Sequence, residues 1–145
     1  GYTGDMRDLT VHDAANIYYT DYVAAPGYDK YVEKSPAVAN KLVDGGVNVS
    51  PRRESRWLQT ALNALSRGGR DYPMVAVDGI AGEATSRSFQ SLINKRGERQ
   101  ACELTIKLLD AQQAVYYMGL PTAQHYIIGW VDNRIGNVPL DWCAK

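Results

Sequence analysis

The stretch SPRRESRWLQTALNAL, residues 50–65, decides the fold class of this chain. Ser50 and Pro51 form a helix-start signal, because serine caps the first turn and proline loses no needed hydrogen bond there. The apolar residues that follow share one helical face: Trp57, Leu58, Ala61, Leu62 and Leu65. Their spacing is typical of an amphipathic helix that packs on a core.

Helical signals continue toward the amino terminus. Thr10 and Asp13 form a capping pair that predicts a first helix, which the breaker Pro26-Gly27 ends. The pair Ser35-Pro36 predicts the start of a second helix. The apolar face predicted for this second helix is Val38, Ala39, Leu42, Val43 and Val47.

Helices also dominate after residue 65. A turn at Asp78-Gly79 precedes a predicted helix whose core face is Thr85, Phe89, Leu92 and Ile93. A long helix follows from about Glu98 to Met118, and a last one from about Thr122 to Arg134. The face predicted to be buried on the long helix is Ala101, Leu104, Thr105, Leu108, Gln112, Val115 and Tyr116. On the last helix, the predicted face is Tyr126, Ile127, Trp130 and Val131.

The pattern predicts an all-α fold of about six helices, with one short extended piece at Val75 and Val77. A natural joint at Val49-Ser50-Pro51 divides the chain into a lobe at residues 1–49 and a second helical lobe at residues 50–136. An irregular tail is predicted at residues 137–145.

Charge and hydropathy exclude two classes of partner. Lys and Arg number 16 and Asp and Glu also number 16, so the formal net charge is zero. Proteins that bind nucleic acid usually have a basic excess, so that class is disfavoured. No apolar run approaches the roughly 18–20 residues that span a bilayer, so no membrane partner is expected. We expect a monomer.

The residues that could carry metal or nucleophilic chemistry form no known signature. Cys102 and Cys143 lie in no zinc-type spacing and are either two separate thiols or one disulfide. His12 and His125 have no nucleophile elbow or metal-ligand spacing beside them. We therefore expect no cofactor and no metal.

Glutamates and aromatic residues are the remaining candidates for sugar chemistry. The five glutamates are Glu33, Glu54, Glu83, Glu98 and Glu103, and each is predicted on a solvent face or near a helix start. The chain also has 10 Tyr and 3 Trp against one Phe. Such rings stack on sugars in carbohydrate sites, but core packing is the competing interpretation for Tyr18, Tyr22, Trp57 and Tyr116.

Several runs together resemble glycoside hydrolase family 108, the N-acetylmuramidases (lysozymes) that include many phage endolysins. Residues 43–53 resemble its Asp-x-x-Val-Asn-x-Gly-Pro-x-Arg stretch, and residues 56–63 its Trp-Leu-Gln-x-Ala-Leu-Asn helix. Residues 77–85, 9–22 and 129–134 are similar to three further motifs of the family. The part from about Ser50 onward resembles the unit called peptidoglycan-binding domain 3, and residues 1–49 would then be the remainder of the catalytic lobe.

The resemblance implies a lysozyme-like helical protein that cleaves peptidoglycan between N-acetylmuramic acid and N-acetylglucosamine. Such a protein is made in the bacterial cytoplasm and acts on the cell wall after export or lysis. Asp44 and Asn48, one helical turn apart, would border the glycan cleft, where Asp44 holds a water and Asn48 bonds an N-acetyl group. Capping of the helix end near Ser50 is the competing interpretation of this pair. Tyr18 and Tyr22 are the other predicted substrate contacts.

Departures from the family pattern affect the expected activity. The catalytic glutamate of the family lies in a Glu-Gly-Gly-Tyr segment that this sequence does not contain. We therefore expect no catalytic residue in this chain and place the general-acid glutamate of the parent protein upstream of Gly1. In addition, Tyr22-Val23 stands where the family has Tyr-Trp, and Ser50 where it has Gly.

Three interpretations of the chain as a whole remain open, and one of them is an interaction protein that uses the helical fold alone. The first is an N-terminally truncated endolysin that is inactive by itself, because its proton donor would precede Gly1. The alternative is a non-catalytic peptidoglycan-binding or regulatory module, in which no such glutamate belongs to the protein.

Overall fold

A computed structural model describes the backbone of residues 11–144 and the side chains from Ala15 onward. The predicted all-α class is confirmed: the described part of the chain has six α-helices and no strand. The helices are α1 (Val11–Tyr19), α2 (Pro36–Val49), α3 (Pro51–Leu65), α4 (Glu83–Arg96), α5 (Glu98–Met118) and α6 (Ala123–Arg134).

Some of the predictions fall outside the described residues. The general-acid glutamate is expected upstream of Gly1, and Gly1 itself lies outside the described residues. That expectation therefore stays a prediction. The predicted cap Thr10 also lies outside the described residues, as do the side chains of His12 and Asp13.

Short helical turns complete the fold. A π-helical turn at Thr20–Ala24 continues α1, and a 3₁₀ turn at Tyr28–Tyr31 leads to α2. Another 3₁₀ helix, Leu140–Ala144, lies near the end of the chain. None of the helices in the described part is long and apolar enough to cross a lipid bilayer.

Both predicted serine caps are present. The Ser35 hydroxyl accepts a hydrogen bond from the Val38 N–H at 3.4 Å, and the Ser50 hydroxyl accepts one from the Arg53 N–H at 3.2 Å. Ser50 is also the sole residue between α2 and α3, with φ at +105° and ψ at 145°. Glycine is the residue that adopts this conformation without strain, so Ser50 combines a good cap with a strained backbone.

One core joins α2, α3, α4 and α5. Its fully buried members include Val38 and Leu42 from α2, and Leu58 and Leu62 from α3. The remaining large side chains of the core are Tyr28, Tyr31, Tyr72, Phe89, Leu92, Ile93, Ile106 and Leu109. The core is therefore continuous across the joint at Ser50. The assignment of residues 1–49 and 50–136 to two lobes stays a prediction.

The face predicted for α5 is partly wrong. The buried residues of this helix are Ala101, Cys102, Thr105, Ile106, Leu109, Gln113 and Tyr117. Val115, predicted to be buried, is 66% exposed. α5 carries apolar residues on two adjoining faces, and packing against α2, α3 and α4 selects the one that includes Cys102 and Tyr117. The other face, with Gln112, Val115 and Tyr116, is left at the surface.

The apolar face predicted on α6 is only partly covered: no residue of this helix is buried, and Ile127 and Trp130 are half-buried. Tyr126 is 55% exposed and Val131 44% exposed, although Trp130 is partly covered. α6 packs on the carboxyl-terminal half of α5 through ring contacts described below.

The tail predicted to be irregular is held in place by a disulfide between Cys102 of α5 and Cys143. Cys143 and Val138 are buried, and residues 140–144 form a turn of 3₁₀ helix. The bond settles the question that the sequence left open between separate thiols and a disulfide.

The predicted extended piece at Val75 and Val77 forms no strand in the described residues. Instead, the Asn63 side chain takes the place of a strand partner: its amide donates to the Val75 carbonyl at 2.9 Å and its oxygen accepts from the Val75 N–H at 2.8 Å.

Candidate functional site

Asp44 and Asn48, the predicted cleft residues, lie on one face of α2. The Asn48 amide donates to Asp44 Oδ2 at 3.4 Å, and the Asn137 amide donates to the same oxygen at 2.6 Å. Both side chains are half-buried, so they keep access to solvent. The Ser50 hydroxyl caps the start of α3, whereas the hydrogen bonds of Asp44 and Asn48 in the described residues are to side chains. Asp44 therefore joins α2 to the chain segment after α6.

Tyr18 and Tyr22, the other predicted contacts, form a pair of their own. Their ring centroids are 5.4 Å apart, and Tyr18 is 45% exposed. Among the described residues, no hydrogen bond or ring contact joins this pair to Asp44 or Asn48. The four predicted residues thus form two pairs, each joined by a direct contact of its own.

Beneath Asp44 lies a buried charged cluster that the sequence analysis missed. Lys41 is fully buried and pairs with Asp110 of α5 at 2.6 Å. Its ammonium also donates to the Arg134 carbonyl and to Asn137 Oδ1, both at 3.0 Å. A buried ammonium needs such partners because leaving water is costly for a charge. Lys41 therefore ties α2, α5 and the end of α6 together.

Glu54 lies in the first turn of α3, near a helix start as predicted, but it does not have the exposed surroundings that are ordinary for a glutamate there. Its side chain is fully buried, and both carboxyl oxygens lack a hydrogen-bond partner among the described residues. Burial raises the pKa of Glu54 to about 8, Asp44 and Asp110 add to the increase, and Lys41 opposes it. The carboxyl is therefore neutral at pH 7.

Two sequence features point to this cluster in retrospect. Glu54 precedes Leu58 and Leu62 at intervals of four residues, so it belongs to the buried stripe of α3. Gly45 lies against the Glu54 carboxyl, and a Cβ at that position would collide with it. A charged residue that falls on the apolar stripe of a helix and faces a glycine of a neighbouring helix therefore indicates a buried charged group.

A continuous series of aromatic contacts borders the cluster. Trp57 of α3 meets Tyr116 of α5 at a centroid distance of 5.6 Å, and Tyr116 meets Tyr117 at 5.9 Å. Tyr117 stacks on Trp130 of α6 at 4.9 Å, and Trp130 stacks on Tyr126 at 5.4 Å. Tyr117 at the centre of the series is buried, Trp57, Tyr116 and Trp130 are half-buried, and Tyr126 is exposed.

Two arginines sit on the aromatic series. The Arg53 guanidinium carbon is 4.4 Å from the Tyr116 ring centroid, and that of Arg134 is 5.9 Å from the Tyr117 ring centroid. Arg134 also donates to the Tyr117 hydroxyl at 3.3 Å, and Gln113 donates to it at 2.8 Å. Cation–π contacts of this kind hold a guanidinium flat against a ring while its edge stays available to a ligand.

The other residues considered in the sequence analysis either hold the fold together or lie at the surface. Gln59 binds the turn at Asp78-Gly79: its amide donates to Asp78 Oδ1 at 2.9 Å, and its oxygen accepts from the Gly79 N–H at 3.0 Å. These bonds hold the predicted turn at Asp78-Gly79 against α3. His125 is exposed on α6, and both cysteines are used in the disulfide.

Comparison with known proteins identifies the region that carries these features. The family model described as the predicted peptidoglycan domain matches residues 53–135, which contain the whole aromatic series and Arg53, Glu54 and Asp110. No curated protein matches the chain. Because the family match covers more than half of the sequence, this chain belongs to the family of the predicted peptidoglycan domain.

Proposed function

We propose that this chain binds the glycan strands of peptidoglycan as the recognition part of a lysozyme-type hydrolase from a phage or prophage. The observation that carries the proposal is that four helices meet at one corner. Asn137 joins Asp44 of α2 to the segment after α6, and Arg53 of α3 joins the end of α2 to the Tyr116 ring of α5. Polar groups that bond sugar hydroxyl and acetamido groups thus lie beside rings that pack on sugar faces.

Cleavage between N-acetylmuramic acid and N-acetylglucosamine needs a carboxylic acid that reaches the glycosidic oxygen. Glu54 has the raised pKa of such an acid, but its side chain has no exposed surface. We therefore assign Glu54 to the fold and the exposed corner to binding, and the proposed proton donor remains a glutamate upstream of Gly1. These 145 residues are expected to bind cell walls without clearing them.

The proposed place of action is the cell wall, reached after synthesis in the bacterial cytoplasm followed by export or lysis. The Cys102–Cys143 disulfide supports this location, because such bonds persist outside the reducing cytosol. We expect a monomer, which light scattering of the purified protein checks.

Sedimentation with insoluble peptidoglycan tests the proposal. The wild-type chain should sediment with purified walls, and Asn48→Ala should lower the bound fraction several-fold. Asn94→Ala is the matched control, since Asn94 is an exposed residue of α4, a helix that contributes no residue to this corner. Tyr18→Ala tests the separate contribution of the Tyr18–Tyr22 pair.

Two results would contradict parts of the proposal. Absence of wall binding by the wild-type chain would reject peptidoglycan recognition. Clearing of a turbid wall suspension by the purified chain would show that it hydrolyses peptidoglycan by itself, and would reject the assignment to binding alone.

A further inference from the structure

The exposed face of α5 and the neighbouring Trp57 form an open groove of about 410 Å³. Its lining is mainly apolar: Trp57, Ala111, Gln112, Val115 and Tyr116. The volume lies within the range of small-molecule clefts, roughly 300–1,000 Å³. Val115 is 66% exposed inside this groove, so the surface is uncovered in the described structure.

Gln112 gives the groove a fixed polar group. Its amide nitrogen donates to the Trp57 carbonyl at 2.9 Å and to the Leu108 carbonyl at 3.1 Å. Among the described residues, no hydrogen bond engages its side-chain oxygen. An oxygen acceptor held beside an indole ring suits an acetamido group, whose N–H donates while its methyl packs on the ring.

Arg53 stands at the Tyr116 end of the groove with its charge uncompensated. One guanidinium nitrogen donates to the Val49 carbonyl at 2.8 Å, which orients the side chain and leaves further N–H donors. No carboxylate of the described residues forms an ion pair with it. Two acidic groups of the neighbouring helices have other partners, since Asp110 pairs with Lys41 and Asp44 accepts a hydrogen bond from Asn137.

We propose that this groove binds an N-acetylated amino sugar whose substituent ends in a carboxylate, the combination that a muramyl peptide presents. The acetamido group lies against Trp57 and Gln112, and the carboxylate accepts hydrogen bonds from Arg53. The inference rests on the proposed function, because it names the part of peptidoglycan that one subsite recognises.

A matched pair of ligands tests the role of the carboxylate. Muramyl dipeptide and its uncharged carboxamide are titrated into the full chain, and the Trp57 indole N–H signal is followed by NMR. Charge-assisted hydrogen bonds are about twice as strong as neutral ones, so the carboxamide should bind about tenfold more weakly. Equal binding of the two ligands would overturn the proposal.

Variants then locate the contact. Arg53→Gln should remove the difference between the two ligands, whereas Arg52→Gln should retain it, because Arg52 lies against Gly79 on another side of α3. Val115→Glu should lower the affinity for both ligands, because the larger, charged side chain fills the groove. Met118→Glu is its control, with similar exposure outside the groove lining.

The outcomes separate this inference from the proposed function. Wall binding that persists in Arg53→Gln and Val115→Glu, with unchanged titrations, would overturn the groove assignment alone. Absence of wall binding by the wild-type chain would overturn both the groove assignment and the proposed function. A dispersed amide NMR spectrum shows that each variant is folded. A loss of binding in such a variant is then caused by the change in the groove.

Discussion

Replacing Glu54 by Gln should stabilise the protein at neutral pH and remove part of the pH dependence of its stability. Burial, the largest cause, raises the pKa of this carboxyl from 4.5 to about 8. Between these values the folded chain keeps a proton that the unfolded chain releases. The free energy of unfolding therefore falls by about 1.4 kcal/mol for each pH unit in that window. Glutamine keeps the shape of the neutral acid and has no such loss.

Urea unfolding followed by far-ultraviolet circular dichroism measures the effect. Between pH 5 and pH 7.5, the stability difference between Glu54→Gln and wild type should change by about 3 kcal/mol in favour of the variant. Taking the difference removes the contribution of groups that titrate in both proteins. Glu33→Gln is the control, because Glu33 is exposed and its replacement should give no comparable change.

A stability difference that stays constant with pH would refute this reasoning. It would mean that Glu54 is ionised in the folded protein and that Lys41 compensates its charge. The geometry argues against that outcome, since the Lys41 ammonium is already bound to Asp110 and to two further oxygens.

Three further predictions concern the backbone and the disulfide. Ser50→Gly should raise the free energy of unfolding by about 1 kcal/mol, because relief of the strained φ exceeds the loss of the cap. Calorimetry measures the change, and a lower melting temperature would contradict the prediction. Replacing Cys102 and Cys143 by Ala should lower the free energy of unfolding, measured in urea, by about 3–4 kcal/mol. This is the effect expected for a disulfide that joins residues 41 positions apart. An unchanged urea midpoint of unfolding would argue against the disulfide. Gly45→Ala should lower the free energy of unfolding by about 1–3 kcal/mol in the same assay, because the added methyl group collides with Glu54. The double variant Gly45→Ala/Glu54→Ala should recover part of the loss.

The sequence alone determined the helices and where they begin. The pairs Ser35-Pro36 and Ser50-Pro51 start α2 and α3 as predicted, since a cap and a proline act within one turn. The turn at Asp78-Gly79 and the core face of α4 follow from equally local signals. The motif pattern also indicated the peptidoglycan-related family that matches residues 53–135.

Only the tertiary structure decided which faces are buried and which polar groups meet. α5 has two apolar faces, and the choice between them depends on the helices packed against it, so periodicity alone predicted the wrong one around Val115. In the sequence Glu54 is an ordinary glutamate near a helix start, because its burial depends on Gly45 of another helix. Burial and pairing are properties of several segments at once, whereas helix propensity belongs to one.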